Sequence, residues 1–365
     1  MLEIKGQFNT ATCYATVIEE EAVDQIRRMC DYEFTAGSRV RIMPDVHAGK
    51  SCTIGTTMTI VDKVVPNIVG VDIGCGMYTL TLGDVDIDFA RVDEAARAIP
   101  SGTSVWDRDC EPFAFESLRC FGGLTNLQRL GRSIGTLGGG NHFIEIDAAE
   151  DGTKYLVVHS GSRNLGHQVA RYYQKLAVEL HRENDSDLPD DLCYLYGSYL
   201  EDYLHDVAIC QDFARRNREI MAEIILDMTG MTSTDEFHTI HNYIDTEEMI
   251  LRKGAIAAHK NEKVLIPINM RDGSVLAYGK GNEEWNYSAP HGAGRLMSRS
   301  GARETLDMEE YRRSMEGIYT TSVSTKTLDE APMAYKALED IIGVIQDSVD
   351  IIAVLQPVYN FKAAE

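Results

Sequence analysis

The sequence predicts an α+β fold, and two features of its pattern support this prediction. Short β-branched segments separated by glycine and proline fill residues 1–90 and return at about 238–290, whereas the two longest helical periodicities lie together between these blocks. Because strand blocks and helix blocks are segregated, the pattern favours α+β over regular βαβ winding. No break in composition separates independent domains. We therefore predict a single compact domain over residues 1–365, with a β-sheet core and a helical insertion at about 165–230.

The first half of the chain is predicted to contain strands, one short helix and glycine-rich turns. The run RVRIMPDVHAGKSCTIGTTMTIVDKVVPNIVGVDIGCGMYTLTL has the β-branched residues and turn residues of several short strands. A short helix is expected at about 89–99. Further along, GTLGGGNHFIEID predicts a turn that enters a strand, and KYLVVHSGSRN predicts a strand that ends in a turn.

Two long helices are predicted because apolar residues recur every three to four positions over 165–182 and 197–228. The acidic connection NDSDLPDD between them is expected to be solvated. The faces predicted to be buried are Val169, Tyr172, Leu176 and Leu180 in the first helix, and Leu200, Leu204, Val207, Cys210, Ala214, Ile220 and Ile224 in the second.

The C-terminal third is predicted to contain strands followed by one helix. The segments HNYI, RKGAIAA, KVLIPINM and SVLAYGKGN, between about 238 and 290, have strand character. A last helix is predicted at about 334–355, with Pro357 as its stop signal.

The acidic composition limits the classes of partner. The chain carries 35 Lys and Arg against 57 Asp and Glu, which gives a formal charge of −22. This charge argues against unspecific attraction to nucleic acid or to anionic membranes, although it allows a local basic cleft or bound metal ions. No run approaches the ~18 consecutive apolar residues of a membrane span, and the N-terminus lacks a basic start followed by an apolar stretch. We therefore expect a cytoplasmic protein with no membrane partner.

The eight cysteines show no regular spacing and no CxxC pair. In a chain of this length without an export signal, reduced thiols are expected rather than a disulfide framework. A single cysteine is more often a small buried apolar residue than a metal ligand.

Side chains that can bind metals lie in glycine-flanked turns at the predicted strand ends. They are Asp72 and Cys75 in VGVDIGCGM, His142 in GTLGGGNHF, His159 in VVHSGSRN, His241 in TIHNYI and His291 in SAPHGAGR. Glycine lets a phosphate or a metal approach the backbone, and this mixture of oxygen, sulfur and nitrogen donors could form a metal site. Thiolate together with imidazole favours zinc. Taken singly, each histidine is more often a turn or core residue, and Cys75 a structural one.

These segments together resemble the RtcB family of RNA-splicing ligases. They are, in chain order, MPDVHAGKSCTIG, NIVGVDIGCGM, GTLGGGNHFIEI, VVHSGSRNLGH, HNY followed by RKGA, and PHGAGRLMSRS, with a further match at Lys362. The resemblance implies an enzyme that joins RNA ends bearing a 2′,3′-cyclic phosphate or a 3′-phosphate to ends bearing a 5′-hydroxyl. It also implies GTP and two Mn²⁺ ions as cofactors, and a role in tRNA splicing or RNA repair.

The resemblance further implies roles for the metal-competent residues. His291 would be the nucleophile that GTP guanylylates, and the thiolate of Cys75 would bridge the two ions. We expect manganese rather than the zinc that the donor set alone favours, because two neighbouring divalent ions that bind triphosphate oxygens suit Mn²⁺. The implied metal ligands are Asp72, Cys75, His142, His159 and His241.

Nucleotide and RNA contacts also follow from the resemblance. Asn141 would contact a nucleotide phosphate and Glu145 the guanine base; the alternatives are a turn asparagine and an exposed strand residue. Asp45 and His47 are expected to support the metal ligands without binding metal. The implied nucleotide site comprises Asn141, Glu145, His291, Gly292, Ala293, Gly294, Arg295 and Lys362. The implied RNA or phosphate contacts are Arg163, Arg295 and Arg299, since guanidinium groups bind phosphate bidentately.

The sequence departs from the family pattern at three places. IPINMRDGS replaces a serine-containing turn of many relatives, which leaves Ser274 and Asp272 as candidates for the guanine-reading residue. The segment NEEWNYSAPHGAGR replaces a run of small residues before the nucleophile, and Leu251 stands where relatives often have histidine. These departures bear on nucleotide choice and on substrate class.

Two alternative functions stay open at the level of sequence. A metal-dependent cyclic phosphodiesterase would keep the metal site without ligation and would not need GTP. An RNA-binding or ribosome-associated factor would keep the fold without turnover, but the complete set of ligands argues against it. The sequence identifies no activating protein partner.

Overall fold

The computed structural model describes residues 1–184 and 187–363 and has the predicted α+β architecture. The strands are β1 Leu2–Lys5, β2 Thr10–Cys13, β3 Val40–His47, β4 Ile54–Thr59, β5 Lys63–Val64, β6 Gly76–Gly83, β7 Phe143–Ala148, β8 Lys154–Ser160, β9 Leu195–Tyr196, β10 Asp235–Ile240, β11 Asn242–Asp245, β12 Ile250–Lys253, β13 Ala255–Ala257, β14 Lys263–Asn269, β15 Gly273–Gly279, β16 Ser288–Pro290, β17 Tyr319–Thr320 and β18 Val349–Lys362. The α-helices are α1 Glu20–Cys30, α2 Pro66–Val69, α3 Phe89–Ala98, α4 Leu127–Gly131, α5 Arg163–Glu183, α6 Gly197–Thr229, α7 Arg299–Thr305, α8 Met308–Ser314 and α9 Leu338–Ile345. Short 3₁₀ turns lie at Glu33–Thr35, Phe115–Ser117, Phe121–Gly123, Glu283–Trp285, Thr325–Glu330 and Pro332–Ala334.

Two large sheets form the β-structure. The first has six strands in the order β1-β2-β3-β4-β12-β11. The second has eight strands: seven follow the order β10-β6-β8-β7-β18-β15-β14, and β17 pairs with β18. Neighbouring strands are antiparallel except for the β2–β3 and β17–β18 pairs.

Five adjacent strands of the second sheet, β10, β6, β8, β7 and β18, have termini at one common edge. Gly76 at the start of β6 pairs with Ile240 at the end of β10 and with Ser160 at the end of β8. Phe143 at the start of β7 pairs with Lys362 at the end of β18. Residues that are distant in the sequence therefore lie side by side at this edge, which is where the site described below is found.

The two predicted long helices form α5 and α6, with bounds close to the expected ones. Helix α6 packs against α3, α5 and strands of both large sheets. Because it is surrounded in this way, it buries residues on several of its sides rather than on one stripe. The predicted single-domain organisation with an insertion at 165–230 stays a prediction. In the predicted connection NDSDLPDD, residues 185 and 186 lie outside the described residues.

The buried face of α5 differs from the predicted one. Tyr173 and Ala177 lie in the core together with Val169, whereas Tyr172 is 39% exposed and Leu176 is only partly buried. In α6, the predicted core residues Leu204 and Ile224 are likewise only partly buried. The reason is that the contact with α6 selects the face of α5, and a buried carboxylate lies on that side.

That carboxylate belongs to Asp206 of α6, which is fully buried. The hydroxyl of Tyr173 donates a hydrogen bond to Asp206 Oδ2 at 2.8 Å. The backbone N–H groups of Arg119 and Cys120 donate to the same side chain. A tyrosine can bury its ring and still satisfy its hydroxyl only where such an acceptor lies within reach.

The predicted final helix at about 334–355 is wrong in most of its length. Helix α9 ends at Ile345, and residues 349–362 form the longest strand, β18. The first half of β18 pairs with β15 and the second half pairs with β7. The apolar run in this segment fits either a helix or a strand. The hydrogen bonds to these two neighbouring strands therefore decide in favour of the strand. Pro357, the expected stop signal, lies beside an irregularity in the register, where a strand tolerates a missing N–H.

Over the described residues, no helix is both long enough and apolar enough to cross a membrane.

We expect Tyr173→Phe to lower the free energy of unfolding by about 1–3 kcal/mol, because it leaves the buried Asp206 carboxylate one donor short. Tyr172→Phe is the matched control, since its ring is 39% exposed, and it should change stability by less than about 0.5 kcal/mol. Urea unfolding followed by circular dichroism measures both variants. Equal stability of the two variants would contradict the assigned hydrogen bond from Tyr173 to Asp206.

Candidate metal centre and adjoining cleft

Four chain segments bring metal-competent side chains to the common edge of the second sheet. Cys75 directly precedes β6, His142 directly precedes β7, and His241 directly follows β10. His159 is the next-to-last residue of β8. Since these antiparallel neighbours begin or end at the same edge, the four side chains converge although they come from separate turns.

A tight turn presents Asp72 and Cys75 together. The N–H of Cys75 donates to the carbonyl oxygen of Asp72 at 3.2 Å. Gly74 in this turn has a φ of +77°, and a Cβ atom there would lie 2.8 Å from the Cβ of Ala214 on α6. Glycine is therefore required at this position both by the backbone conformation and by the close approach of α6.

The donor atoms of five predicted ligands lie close together. Cys75 Sγ is 3.5 Å from His142 Nε2 and 3.4 Å from His159 Nε2. His159 Nε2 is 3.4 Å from His241 Nε2, and His142 Nε2 is 3.1 Å from Asp72 Oδ2. They form two groups, Cys75–His159–His241 and Asp72–Cys75–His142, within each of which the ligand atoms are no more than 4.8 Å apart. Cys75 belongs to both groups.

Backbone carbonyls bind the second nitrogen of two of these imidazoles. His142 Nδ1 donates to the Leu137 carbonyl at 2.8 Å, and His159 Nδ1 donates to the Asn141 carbonyl at 3.1 Å. When the His159 ring is neutral, its Nε2 therefore carries a lone pair that faces Cys75 Sγ and His241 Nε2. Lone pairs in such contact repel one another unless a proton or a cation lies between them. The donor set therefore fits a divalent metal ion, and the shared thiol fits a pair of ions.

Burial shifts the pKa values of these groups. Burial lowers the pKa of His159 and of His241 well below the usual value, so both rings are neutral at pH 7. Burial opposes ionisation of Asp72, but the hydrogen bond and charge of His142 outweigh it and lower the Asp72 pKa to about 2. Burial and the charge of Asp72 raise the pKa of Cys75 well above its usual value, so a bound metal must displace the thiol proton.

A cleft of about 370 Å³ opens beside this centre, a volume suited to a small-molecule ligand. Most of the predicted site residues line it. They are Asp72, Cys75, Asn141, Glu145, His159, His241, His291, Gly292, Ala293, Gly294, Arg295, Arg299 and Lys362.

The two other predicted site residues, His142 and Arg163, lie outside the cleft lining. His142 contacts Cys75 and Asp72, as described above. Arg163 donates to the Gly102 carbonyl at 3.0 Å and to Thr136 Oγ1 at 3.2 Å. The guanidinium of Arg163 is therefore bound to the neighbouring loops and adds its positive charge to the surroundings of Asp72.

His291 is held at the cleft by a buried aspartate. Its Nδ1 lies 2.7 Å from Asp45 Oδ2, and its backbone N–H donates to the same oxygen at 3.2 Å. An ionised carboxylate only accepts hydrogen bonds, so Nδ1 carries the proton and Nε2 keeps its lone pair when the ring is neutral. The ring of His241 contacts that of His291 edge to face, with 5.1 Å between the centroids. His291 thus adjoins the ligand set.

One wall of the cleft gathers cationic side chains around a buried acid, Glu330. Its Oε2 accepts hydrogen bonds from Lys362 Nζ at 2.6 Å and from the Tyr335 hydroxyl at 2.7 Å. Its Oε1 lies 3.2 Å from Arg295 and 3.0 Å from Arg299. Burial opposes ionisation of Glu330, but the charges of Lys362 and Arg299 outweigh it and lower the pKa to about 2.

A second acid, Asp329, pairs with Arg299 and with Arg303, and these ion pairs extend the cluster beyond the residues that line the cleft. We call this set the cationic wall; it consists of Arg295, Arg299, Arg303 and Lys362 with the acids Asp329 and Glu330. Four cations against two acids leave a local positive charge in a chain whose formal charge is −22.

Glu145 is buried at the cleft rather than exposed on its strand. Glu145 on β7 pairs in register with Asn360 on β18, and the Asn360 side chain donates a hydrogen bond to the carboxyl group of Glu145. Burial raises the pKa of Glu145. Asn141 is exposed at the cleft, and its backbone carbonyl holds His159.

The lining residues that sequence reasoning missed include Glu330, Tyr335 and Asn360. The alternation of a strand would have put Asn360 on the same side as Lys362, but the segment before them was predicted as a helix. Glu330 and Tyr335 lie in the segment DEAPMAY, which carries no spacing that indicates chemistry in a single sequence.

The candidates for a guanine-reading residue in IPINMRDGS are not part of the lining. Ser274 is fully buried in β15, and the carboxylate of Asp272 is bound by Arg271 and Asn269. The cleft is lined instead by residues 267–270 of the same segment.

Comparisons with known proteins find one family of similar proteins. The family model described as tRNA-splicing ligase RtcB matches residues 25–111 and 124–363. RNA-splicing ligase RtcB of Escherichia coli (strain K12) is 31% identical over an alignment that covers 94% of this chain and 95% of the relative. RNA-splicing ligase RtcB of Mycobacterium tuberculosis is 29% identical, with 84% and 92% covered. tRNA-splicing ligase RtcB of Archaeoglobus fulgidus is 27% identical, with 94% and 91% covered.

Gly161→Ala tests the position of Asp72. A Cβ at residue 161 would lie 2.1 Å from Asp72 Oδ1, so the carboxylate must move away from its place beside His142. We expect the affinity for Mn²⁺, measured by calorimetric titration, to fall on the order of 10–100-fold. Gly343→Ala in α9 is the control, because a Cβ there meets nothing within 4 Å, and it should leave the affinity unchanged. Unchanged binding by Gly161→Ala would exclude Asp72 as a ligand in this arrangement.

Proposed function

Because the chain belongs to the RtcB family and is therefore an RNA ligase, we propose that it uses GTP and Mn²⁺ and acts through a guanylylated His291. The proposed substrates are RNA ends bearing a 2′,3′-cyclic phosphate or a 3′-phosphate, together with 5′-hydroxyl ends, in tRNA splicing or RNA repair in the cytoplasm. The observation that carries the proposal is the position of His291 beside two ligand groups that share one thiol.

The family and the candidate ligand groups support a metal-dependent enzyme. Asp72, Cys75 and His142 would hold one ion, and Cys75, His159 and His241 the other. When bound, two Mn²⁺ ions would neutralise the charge that develops on phosphate oxygens and on the leaving group. The chain supplies neutral imidazoles and an ionised Asp72 for this purpose.

Asp45 prepares His291 for attack on the nucleotide. Since Asp45 holds the proton on Nδ1, the Nε2 lone pair is free to attack the α-phosphorus of GTP. A P–N bond forms, the bond from the α-phosphorus to the bridging oxygen breaks, and pyrophosphate leaves. The negative charge of Asp45 stabilises the ring, which becomes positive as the bond forms.

Two further transfers complete the proposed reaction. An oxygen of the RNA 3′-phosphate attacks the guanylyl phosphorus, and the P–N bond to His291 breaks. The 5′-hydroxyl then attacks the activated 3′-phosphorus, and GMP leaves. A cyclic phosphate must first be hydrolysed to the 3′-phosphate. Arg295 and Arg299 of the cationic wall lie beside the histidine loop and suit the binding of these phosphate oxygens.

The chemistry of the remaining lining fits a guanine base. The carboxyl group of Glu145 offers acceptor oxygens to the N1–H and amino donors of guanine, and Lys362 offers a donor to its O6. Asn360 and Glu330 hold these two side chains in place. Residues 267–270 supply the side of the cleft at which the sequence departs from the family pattern.

We expect the wild-type protein to acquire a covalent label from [α-³²P]GTP and Mn²⁺, because the phosphoramidate on His291 retains the α-phosphorus. His291→Ala should acquire none, while His205→Ala, which lies on α6 outside the cleft lining, should be labelled like the wild type. Label on His291→Ala, or its absence from folded, metal-loaded wild-type protein, would refute the assignment of the nucleophile.

The same preparations separate ligation from the two alternatives. A ligase should join 3′-phosphate and 5′-hydroxyl RNA ends only when GTP is present. Opening of the cyclic phosphate without GTP and without joining would identify a phosphodiesterase, and RNA binding without either product would identify a non-enzymatic factor.

A further inference from the structure

Helix α6 reaches the metal centre through two consecutive residues, Asn217 and Arg218. Both side chains are fully buried, and neither lies in a motif that the sequence singled out. Outside the cleft lining, they contact three of the four segments that carry the predicted ligands, and the segment of His241 is the one they do not contact. We call these three segments the ligand turns; they comprise residues 72–75, 136–142 and 159–161.

Arg218 joins two of the ligand turns with a single nitrogen. Its Nη1 donates to the Gly74 carbonyl at 2.7 Å and to the Ser160 carbonyl at 2.8 Å. The first carbonyl directly precedes Cys75 and the second directly follows His159. One guanidinium therefore fixes the distance between the backbone of the shared thiol and that of a histidine ligand.

Asn217 extends this contact to the third ligand turn. Its Nδ2 donates to Ser160 Oγ and to the Gly161 carbonyl, both at 3.1 Å, and its Oδ1 accepts from the Thr136 N–H at 2.9 Å. Ser160 Oγ in turn donates to the Leu137 carbonyl at 2.8 Å.

The Leu137 carbonyl is the acceptor that holds His142 Nδ1 at 2.8 Å. A continuous series of hydrogen bonds thus connects Asn217 to the orientation of a predicted metal ligand. Ligand orientation by such outer contacts typically affects metal affinity by on the order of 10–100-fold.

Burying the guanidinium of Arg218 is energetically unfavourable, which indicates that this residue does more than fill space. Among residues 1–184 and 187–363, its Nε and Nη2 have no hydrogen-bond partner although both atoms are buried. An incompletely paired buried cation is unfavourable. A methionine of similar length would fill this space without that cost. The carboxylate of Asp72, a predicted ligand, supplies a negative charge that offsets part of the burial of Arg218.

We propose that Asn217 and Arg218 are positioning residues that hold the three ligand turns at the separation that metal binding needs. This inference rests on the proposed metal-dependent function. It also explains why α6 approaches so closely that only glycine fits at residue 74.

The test measures Mn²⁺ binding to the full-length, nucleotide-free protein by calorimetric titration. Arg218→Met should lower the affinity on the order of 10–100-fold. Arg218→Lys, which keeps a charged donor, should restore part of that loss. Asn217→Ala should also weaken binding, and it decides the question if Arg218→Met does not fold.

Arg252→Met is the matched control. Arg252 is also a fully buried arginine, but it donates to Ser288 Oγ, to the Tyr243 hydroxyl and to the Asn286 carbonyl, all outside the ligand turns. We expect it to lose stability in chelator, as Arg218→Met does, and yet to bind Mn²⁺ with wild-type affinity. In parallel, Co²⁺ substitution should give a thiolate-to-metal absorption band that is weakened in Arg218→Met and unchanged in Arg252→Met.

The outcomes separate this inference from the proposed function. Wild-type Mn²⁺ affinity in both Arg218→Met and Asn217→Ala would overturn the positioning role while leaving the metal site intact. An equal loss of affinity in Arg252→Met would also overturn it, because the effect would then follow from lost stability alone. Absence of Mn²⁺ binding by the wild-type protein would overturn the proposed function and this inference together.

Discussion

Cys75 Sγ lies within 3.5 Å of the Nε2 atoms of His142 and His159. The Nδ1 atom of each ring donates its proton to a backbone carbonyl. A thiol sulfur and neutral imidazole nitrogens repel one another unless a proton or a cation lies among them, and the single thiol proton cannot bond to both imidazoles. The fold must therefore hold this convergence against an electrostatic cost. Strand ends at a common sheet edge, the turn at Gly74 and the contacts of α6 are the features that hold it.

Antiparallel strand pairing brings the predicted ligands together although they lie far apart in the sequence. Strands β10, β6, β8 and β7 place their ligand-bearing ends in one row, since each register aligns the start of one strand with the end of its neighbour. Helix α6 then covers this row from the side opposite the cleft and hydrogen-bonds its turns. The site is consequently rigid on the side of the ligands and open on the side of the cleft.

Positive charge is concentrated at the cleft although the net charge of the chain is strongly negative. The chain carries −22 overall, yet the cationic wall sets four cations around two buried acids beside His291. Glu330 keeps the guanidinium and ammonium groups together that would otherwise repel one another, and they remain able to bind phosphate oxygens. An acidic ligase can thus attract RNA at the cleft, where its cationic side chains are concentrated.

Much of the site could be predicted from the sequence, because glycine-flanked Asp, Cys and His residues stay recognisable in any context. The α+β class and helices α5 and α6 followed from periodicity. The sequence did not reveal that Tyr173 rather than Tyr172 is buried, since neighbouring faces of a helix have similar apolar content. Nor did it reveal that residues 349–362 form a strand, because an apolar run fits either structure until pairing partners are known.

The sequence by itself therefore determined the family pattern that the chain follows and predicted which residues carry the chemistry. Only the tertiary structure decided that Asp45 holds His291, that Glu330 gathers the cationic wall, and that Asn217 and Arg218 reach the ligand turns. These contacts join residues far apart in the chain, and their partners are often backbone carbonyls, which every sequence contains. No local pattern can encode such a partner, because only the folded register determines which carbonyl lies within reach.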